Sequence, residues 1–210
     1  MEKFNFKVLR AKRVGSYILV FIILILMGTV MSLSMKDDTY MGDEMLFLST
    51  GYMYLTEPTT SFGFEHPPLV RYLAALPLLG LNLKPASEFY DSTLAREPLL
   101  NLGGSFNQWN FAENFLFGQD ESPEKILFLG RLMMVAITLL LGFLIFKWTS
   151  LKWGNKSGLL ALALFCLSPL ILAHGRIINM DVASALGIFA STYYFVRFLQ
   201  KPSLKRTLIA

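Results

Sequence analysis

Uncharged apolar runs alternate with short basic blocks along this chain, and one long polar stretch interrupts them. Residues 16–35, SYILVFIILILMGTVMSLSM, form the first run. Its length matches the ~20 apolar residues a helix needs to cross a bilayer. A secretory signal has the same basic start and apolar core. This run is long for such a core, lacks a clear small-x-small cleavage pattern, and passes straight into Lys36-Asp37-Asp38. It is therefore predicted to be an uncleaved span. Three further runs, 126–146, 157–173 and 182–198, predict three more spans. The first of these opens at Ser122-Pro123-Glu124, a cap residue, a first-turn proline and an acid. Ser168-Pro169 interrupts the run 157–173.

The polar stretch, 36–125, is too rich in Phe, Tyr, Trp and Leu to be disordered. From Glu44 the positions Met45, Leu48, Tyr52 and Leu55 fall on one helical face, and Asp43 after Gly42 suits an N-cap. Residues 67–83, PPLVRYLAALPLLGLNL, are apolar, but Arg71, Pro77 and the short uncharged run argue for a helix lying in the interface. The region 86–121 is polar with interleaved aromatics, and Gly103-Gly104 marks a turn.

Composition places the chain in a class. Of its 210 residues 54% are hydrophobic and 16% charged, well below the charge of a soluble domain. The net charge of +4 is no nucleic-acid signal, because the basic residues sit in short blocks beside apolar runs. With the N-terminus in the cytoplasm, the blocks at residues 3–13, 147–156 and 197–206 all fall on the cytoplasmic side. Every acid except Glu2 then lies outside. Making 67–83 a span would break this pattern, so four spans and a large outer loop, 36–125, are expected. The Asn155-Lys156-Ser157 sequon faces the cytoplasm on this topology and reads as chance. The single cysteine, Cys166, permits no intrachain disulfide and reads as a small buried hydrophobe. The chain ends as a further apolar run begins, at Thr207-Leu208-Ile209-Ala210, which predicts an N-terminal portion of a longer protein.

The candidate chemistry gathers on the outer face. Asp43 and Glu44 follow the first span, and Asp181 lies between the third and fourth. Carboxylates at one water–lipid boundary suit a general base for a hydroxyl. The plainer reading makes them caps and first-turn acids favoured by the helix dipole. Glu65-His66-Pro67-Pro68 sets a basic side chain on a rigid Pro-Pro start, suited to a lipid-borne phosphate. Arg131 and Arg176 are further cations for a phosphate leaving group, or else arginines snorkelling to the headgroups. Asp43, Glu44, Glu65 and Asp181 are acids able to bind a divalent cation, but no ligand spacing demands one, and two histidines do not make a histidine-rich centre.

This order of features resembles the polyprenyl-phosphate-dependent glycosyltransferases of the GT-C fold, the protein O-mannosyltransferase and aminoarabinose-transferase superfamily. The features are a first span, Asp43-Glu44 in a large outer loop, HPPL at an interfacial helix, Arg131 opening the next span, then SPLILAHGR and Asp181. The resemblance implies an all-α, polytopic membrane fold. It also implies inverting transfer of a mannose-like or aminoarabinose-like sugar from a polyprenyl-phosphate carrier to a hydroxyl on a protein, lipid or glycan. Asp43 would match the catalytic Asp, Glu44 the acid after it and Asp181 the second acid. His66 would match the basic position before Pro-Pro near the donor phosphate, and Arg131 the arginine opening the second span, with Arg176 a further phosphate-binding candidate. No nucleotide sugar is implied, and no Gly-rich nucleotide loop is present. Family members have more spans and draw further phosphate-binding cations from later segments. A bacterial plasma membrane is the expected location.

Two other classes compete. One is a non-catalytic subunit or pseudoenzyme that keeps the fold and binds a lipid or protein partner. The other, a small transporter, is disfavoured because the few charges of the later spans lie near their outer ends rather than at midplane.

Overall fold

The computed structural model describes residues 6–36, 38–57, 66–90, 104–200 and 202. The described residues form helices and turns, with no strand among them. The chain is an all-α membrane protein with more than one spanning helix. In order, the helices are α1 (Phe6–Ser34), α2 (Gly42–Thr56), α3 (Leu69–Ala75), α4 (Gly104–Phe117), α5 (Pro123–Trp153), α6 (Asn155–Cys166), α7 (Pro169–His174) and α8 (Asp181–Gln200). Short 3₁₀ turns lie at Leu76–Gly80 and Ala86–Phe89. Among the described residues three helical stretches are long and apolar enough to cross a membrane: Gly15–Ser34, Pro123–Trp153 and Asp181–Gln200. The residues divide into two compact units.

One unit comprises Ser32–Val135 and Arg176–Met180 and so spans the polar stretch, 36–125. Its centre is α2, buried continuously from Glu44 to Met53. The sequence suggested one apolar face here. Burial on all sides follows because α3, α4 and the 3₁₀ turns all pack on this helix. The helix also starts differently from the expectation: Met41 is the N-cap and Asp43 lies inside the first turn. The interleaved aromatics of 86–121 become a core. Phe111 and Phe115, one turn apart on α4, meet at 6.1 Å between ring centroids, and Phe115 also meets Tyr52 at 5.4 Å and Phe89 at 5.7 Å. Glu57 ties the end of α2 to this core, accepting from the Ser87 N–H at 2.8 Å and the Tyr90 hydroxyl at 3.1 Å. Burial, then the charge of Glu57 and that hydrogen bond, hold the Tyr90 phenol above its ordinary pKa. The turn expected at Gly103-Gly104 falls partly outside the described residues, and α4 begins at Gly104.

The other unit comprises Met1–Met31, Ala136–Gly175 and Asp181–Ala210. Small residues let its helices approach closely, as membrane packing requires. A Cβ on Gly142 would stand 3.1 Å from Phe165 and 3.2 Å from Leu24, and one on Gly28 would stand 3.1 Å from Leu139. The exposed surface is strongly apolar, including Ile18, Phe21, Ile22, Ile25 and Leu26 on α1 and Ile188 and Phe195 on α8. Such a continuous apolar surface suits lipid and would be a liability in water.

Helix α5 runs beyond its expected end through Trp153, so Lys147 and Lys152 are helical and the connection to α6 narrows to Gly154. Gly154 has φ of 88°, a conformation that glycine adopts without a Cβ penalty. The run 157–173 is divided: α6 ends at Cys166 and α7 begins at Pro169. Pro169 lacks the N–H a continuing helix needs and holds Ser168 in an extended conformation, ψ 116°.

At Gly51 of α2 an added Cβ would overlap the backbone carbonyl of Arg71 on α3. Gly51→Ala is expected to force the two helices apart, costing about 1–3 kcal/mol. A lowered melting temperature of the detergent-solubilised chain checks this, and an unchanged one contradicts the close approach.

Candidate functional site

Arg131 and Glu44 form a buried ion pair at the heart of the α2-containing unit; their side chains are 4% and 0% exposed. Gly130 brings this part of α5 against α2: a Cβ there would lie 2.7 Å from Leu48 and 2.8 Å from Ile178. The pair is bidentate, with Arg131 Nε donating to Glu44 Oε1 at 2.9 Å and Nη2 to Oε2 at 2.6 Å. Arg131 also donates to the carbonyls of Met35 at 3.3 Å, Asp38 at 3.1 Å and Thr39 at 2.8 Å. A guanidinium has five N–H donors, so this set occupies all of them.

Glu44 is equally occupied. Its Oε2 accepts from the backbone N–H of Met41 at 3.0 Å, and its Oε1 from that of Ile178 at 3.0 Å. The first bond closes the start of α2 in the manner of a capping box. The second holds the segment 176–180. Four pieces of chain are thus fixed to one another: the end of the first apolar run, the start of α2, α5 and the link before α8. A buried pair tolerates removal from water only when its remaining lone pairs and protons are satisfied, as here.

The other residues singled out from the sequence fall around this pair or apart from it. Asp43, next to Glu44, is exposed in the first turn of α2. Arg176 ion-pairs with Asp38 at 2.6 Å and donates to Ser34 Oγ at 3.0 Å, on the same loop whose carbonyls Arg131 holds. His66 is exposed and meets the Phe47 ring of α2 edge-on, 5.4 Å between centroids. Asp181 belongs to the other unit, where it opens α8 and pairs with His174 at 3.3 Å, both well exposed. Glu65 lies outside the described residues. Among the described residues, no group of three or more His, Cys, Asp or Glu side chains comes together.

Two features escaped the sequence reading. The sequence offers Glu44 and Arg131 as separate candidates, although an acid in a first turn and an arginine about two turns into α5, both in apolar surroundings, are natural partners. Arg71 served only as an argument against a span, yet it is buried completely, its guanidinium 5.0 Å from the centroid of Phe47. A charge amid the apolar run LVRYLAAL is the feature of the sequence that marks it.

The fold and this cluster define a multi-span membrane protein in which a buried ion pair, Glu44 with Arg131, fixes the start of α2. Residues 116–210 match the family model described as dolichyl-phosphate-mannose-protein mannosyltransferase. The match supports the GT-C resemblance over that part of the chain, and glycosyltransferase as its general activity. It includes Arg131, Arg176 and Asp181, while Asp43, Glu44 and His66 precede it. Comparisons with curated proteins and with solved structures return no match.

Removing one partner of such a pair strands the other. Glu44→Gln is expected to destabilise the chain by about 3–5 kcal/mol, and Glu44→Gln combined with Arg131→Met by less than the sum of the two single changes. Thermal melting of the three variants in detergent tests this; additive losses would show the two side chains to be uncoupled.

Proposed function

We propose that this chain carries the acceptor-activating part of an inverting membrane glycosyltransferase. Its donor is a mannose-like or aminoarabinose-like sugar on a polyprenyl or dolichyl phosphate, and its acceptor a hydroxyl on a protein, lipid or glycan at the outer membrane face. The observation that carries this reading is the contrast between two adjacent acids. Glu44 is buried and spent on Arg131, while Asp43 is exposed on the same rigid turn. A carboxylate held on a fixed backbone but open to solvent is suited to orient a hydroxyl and take its proton.

In this reaction the acceptor O–H proton passes to the Asp43 carboxylate as the oxygen attacks the anomeric carbon. The bond from that carbon to the carrier phosphate breaks on the opposite face, and the lipid phosphate departs with the electron pair. Arg131 has every N–H engaged by the protein, so cationic stabilisation of the leaving phosphate falls to other groups. His66 and Arg176 are the candidates the sequence already supplied. The N-terminus lies in the cytoplasm of a bacterial cell, and α6 with α7 crosses the membrane as one interrupted span between α5 and α8. The family match over 116–210 and the exposed apolar helices support the membrane setting and the transferase class.

Sugar transfer in membranes from a polyprenyl-phosphate sugar tests the assignment. Asp43→Asn is expected to lower transfer by about 10²–10⁴-fold, with insertion and abundance unchanged. Undiminished transfer would remove Asp43 as the base and favour a non-catalytic subunit of the same fold.

A further inference from the structure

Among the described residues of the α2-containing unit, Arg71 and Arg131 are both buried, and their surroundings are opposite. Arg131 places its Nε and Nη2 edge on the two oxygens of Glu44. Arg71 is also completely buried, but the only hydrogen bond it makes among the described residues runs from Nη1 to Thr50 Oγ1, at a long 3.4 Å. The Thr50 hydroxyl donates in turn to the Leu46 carbonyl, so its oxygen is the acceptor. Nothing among the described residues accepts from Arg71 Nε or Nη2. These two nitrogens form the same edge by which Arg131 grips a carboxylate. That edge makes parallel bonds to two oxygens of one anion.

A guanidinium cannot escape burial by losing its proton, so an uncompensated one is costly. The cation–π contact with Phe47 offsets only part of that cost. Nor is Arg71 free to swing outward with its backbone, because its carbonyl is seated against Gly51. His66, exposed, meets the same Phe47 ring edge-on.

We propose that Arg71, packed on Phe47, forms an anion subsite in which Nε and Nη2 grip two oxygens of a phosphate. Resting on the function proposed above, that phosphate is the one carried by the polyprenyl donor. Arg71 is then the cation that receives the leaving group, while Arg131, through Glu44, holds the turn of α2 that bears Asp43. The two arginines divide between them the roles of binding and support.

The test uses the whole chain in lipid nanodiscs, with a short-chain prenyl phosphate, the prenyl alcohol of equal length and inorganic phosphate as probes. Wild type is expected to bind the prenyl phosphate in preference to the alcohol. Arg71→Met is expected to weaken that binding by about tenfold or more, yet to melt at or above the wild-type temperature, since it removes an uncompensated charge. Arg71→Lys, which keeps the charge but not the fork, is expected to weaken binding with little change in melting. If Arg71→Met melts lower and binds as wild type, Arg71 serves the fold and the proposal fails. Unchanged binding by Arg71→Lys, or no preference of the wild type for phosphate over alcohol, also overturns it. Arg71-dependent binding of inorganic phosphate, with no gain from the prenyl chain, keeps the anion subsite and refutes the lipid-linked donor.

Discussion

A charge taken out of water must be answered atom by atom, and the Glu44–Arg131 pair meets that constraint. Five donors of the arginine and both oxygens of the glutamate are engaged, by side chain and backbone alike. Because the acceptors come from residues 35–39, and a donor from residue 178, the pair ties together segments far apart in sequence. Without it, the loop after the first apolar run would have no fixed relation to the start of α2. Asp43 inherits its position from this arrangement, being covalently next to the clamped acid. The ion pair is thus better understood as the frame for the chemistry than as its agent.

A second constraint is the close approach of helices. Gly51 lets α3 press its backbone on α2, and Gly130 lets α5 meet Leu48 and Ile178. In the other unit Gly28 and Gly142 do the same for long apolar helices. Apolar side chains gain little by leaving lipid for one another, so packing of this kind must come from shape. The broken run at Cys166 to Pro169 follows from a local rule, since proline cannot continue the hydrogen-bond ladder of α6.

Much of the architecture was legible in the sequence, because length and apolarity of a run are what a bilayer selects. The start of α5 at Pro123 was written in Ser122-Pro123-Glu124, and the Lys125 N–H does meet Ser122 Oγ at 3.3 Å. Run boundaries were less legible, since a helix can carry Lys147 and Lys152 past the apolar core, and only Gly154 ends it. The start of α2 differs from the cap expected at Asp43, because Met41 has no side-chain oxygen to mark it as the N-cap. There the Glu44 side chain reaches back to the Met41 N–H instead. Partnership was the least legible feature. Glu44 and Arg131 are 87 residues apart, and nothing local in the sequence distinguishes an arginine that will be fully paired from one, like Arg71, that will not.

The central claim is a division of labour on one turn of helix: Glu44 holds and Asp43 reacts. The most direct measurement is sugar transfer from a polyprenyl-phosphate donor and thermal melting, followed side by side on isosteric amide variants of the two acids. The account predicts that the change at 44 lowers both, while the change at 43 lowers transfer by about 10²–10⁴-fold and leaves melting as it was. Transfer that survives the change at 43, or is lost at 44 with melting untouched, would contradict it.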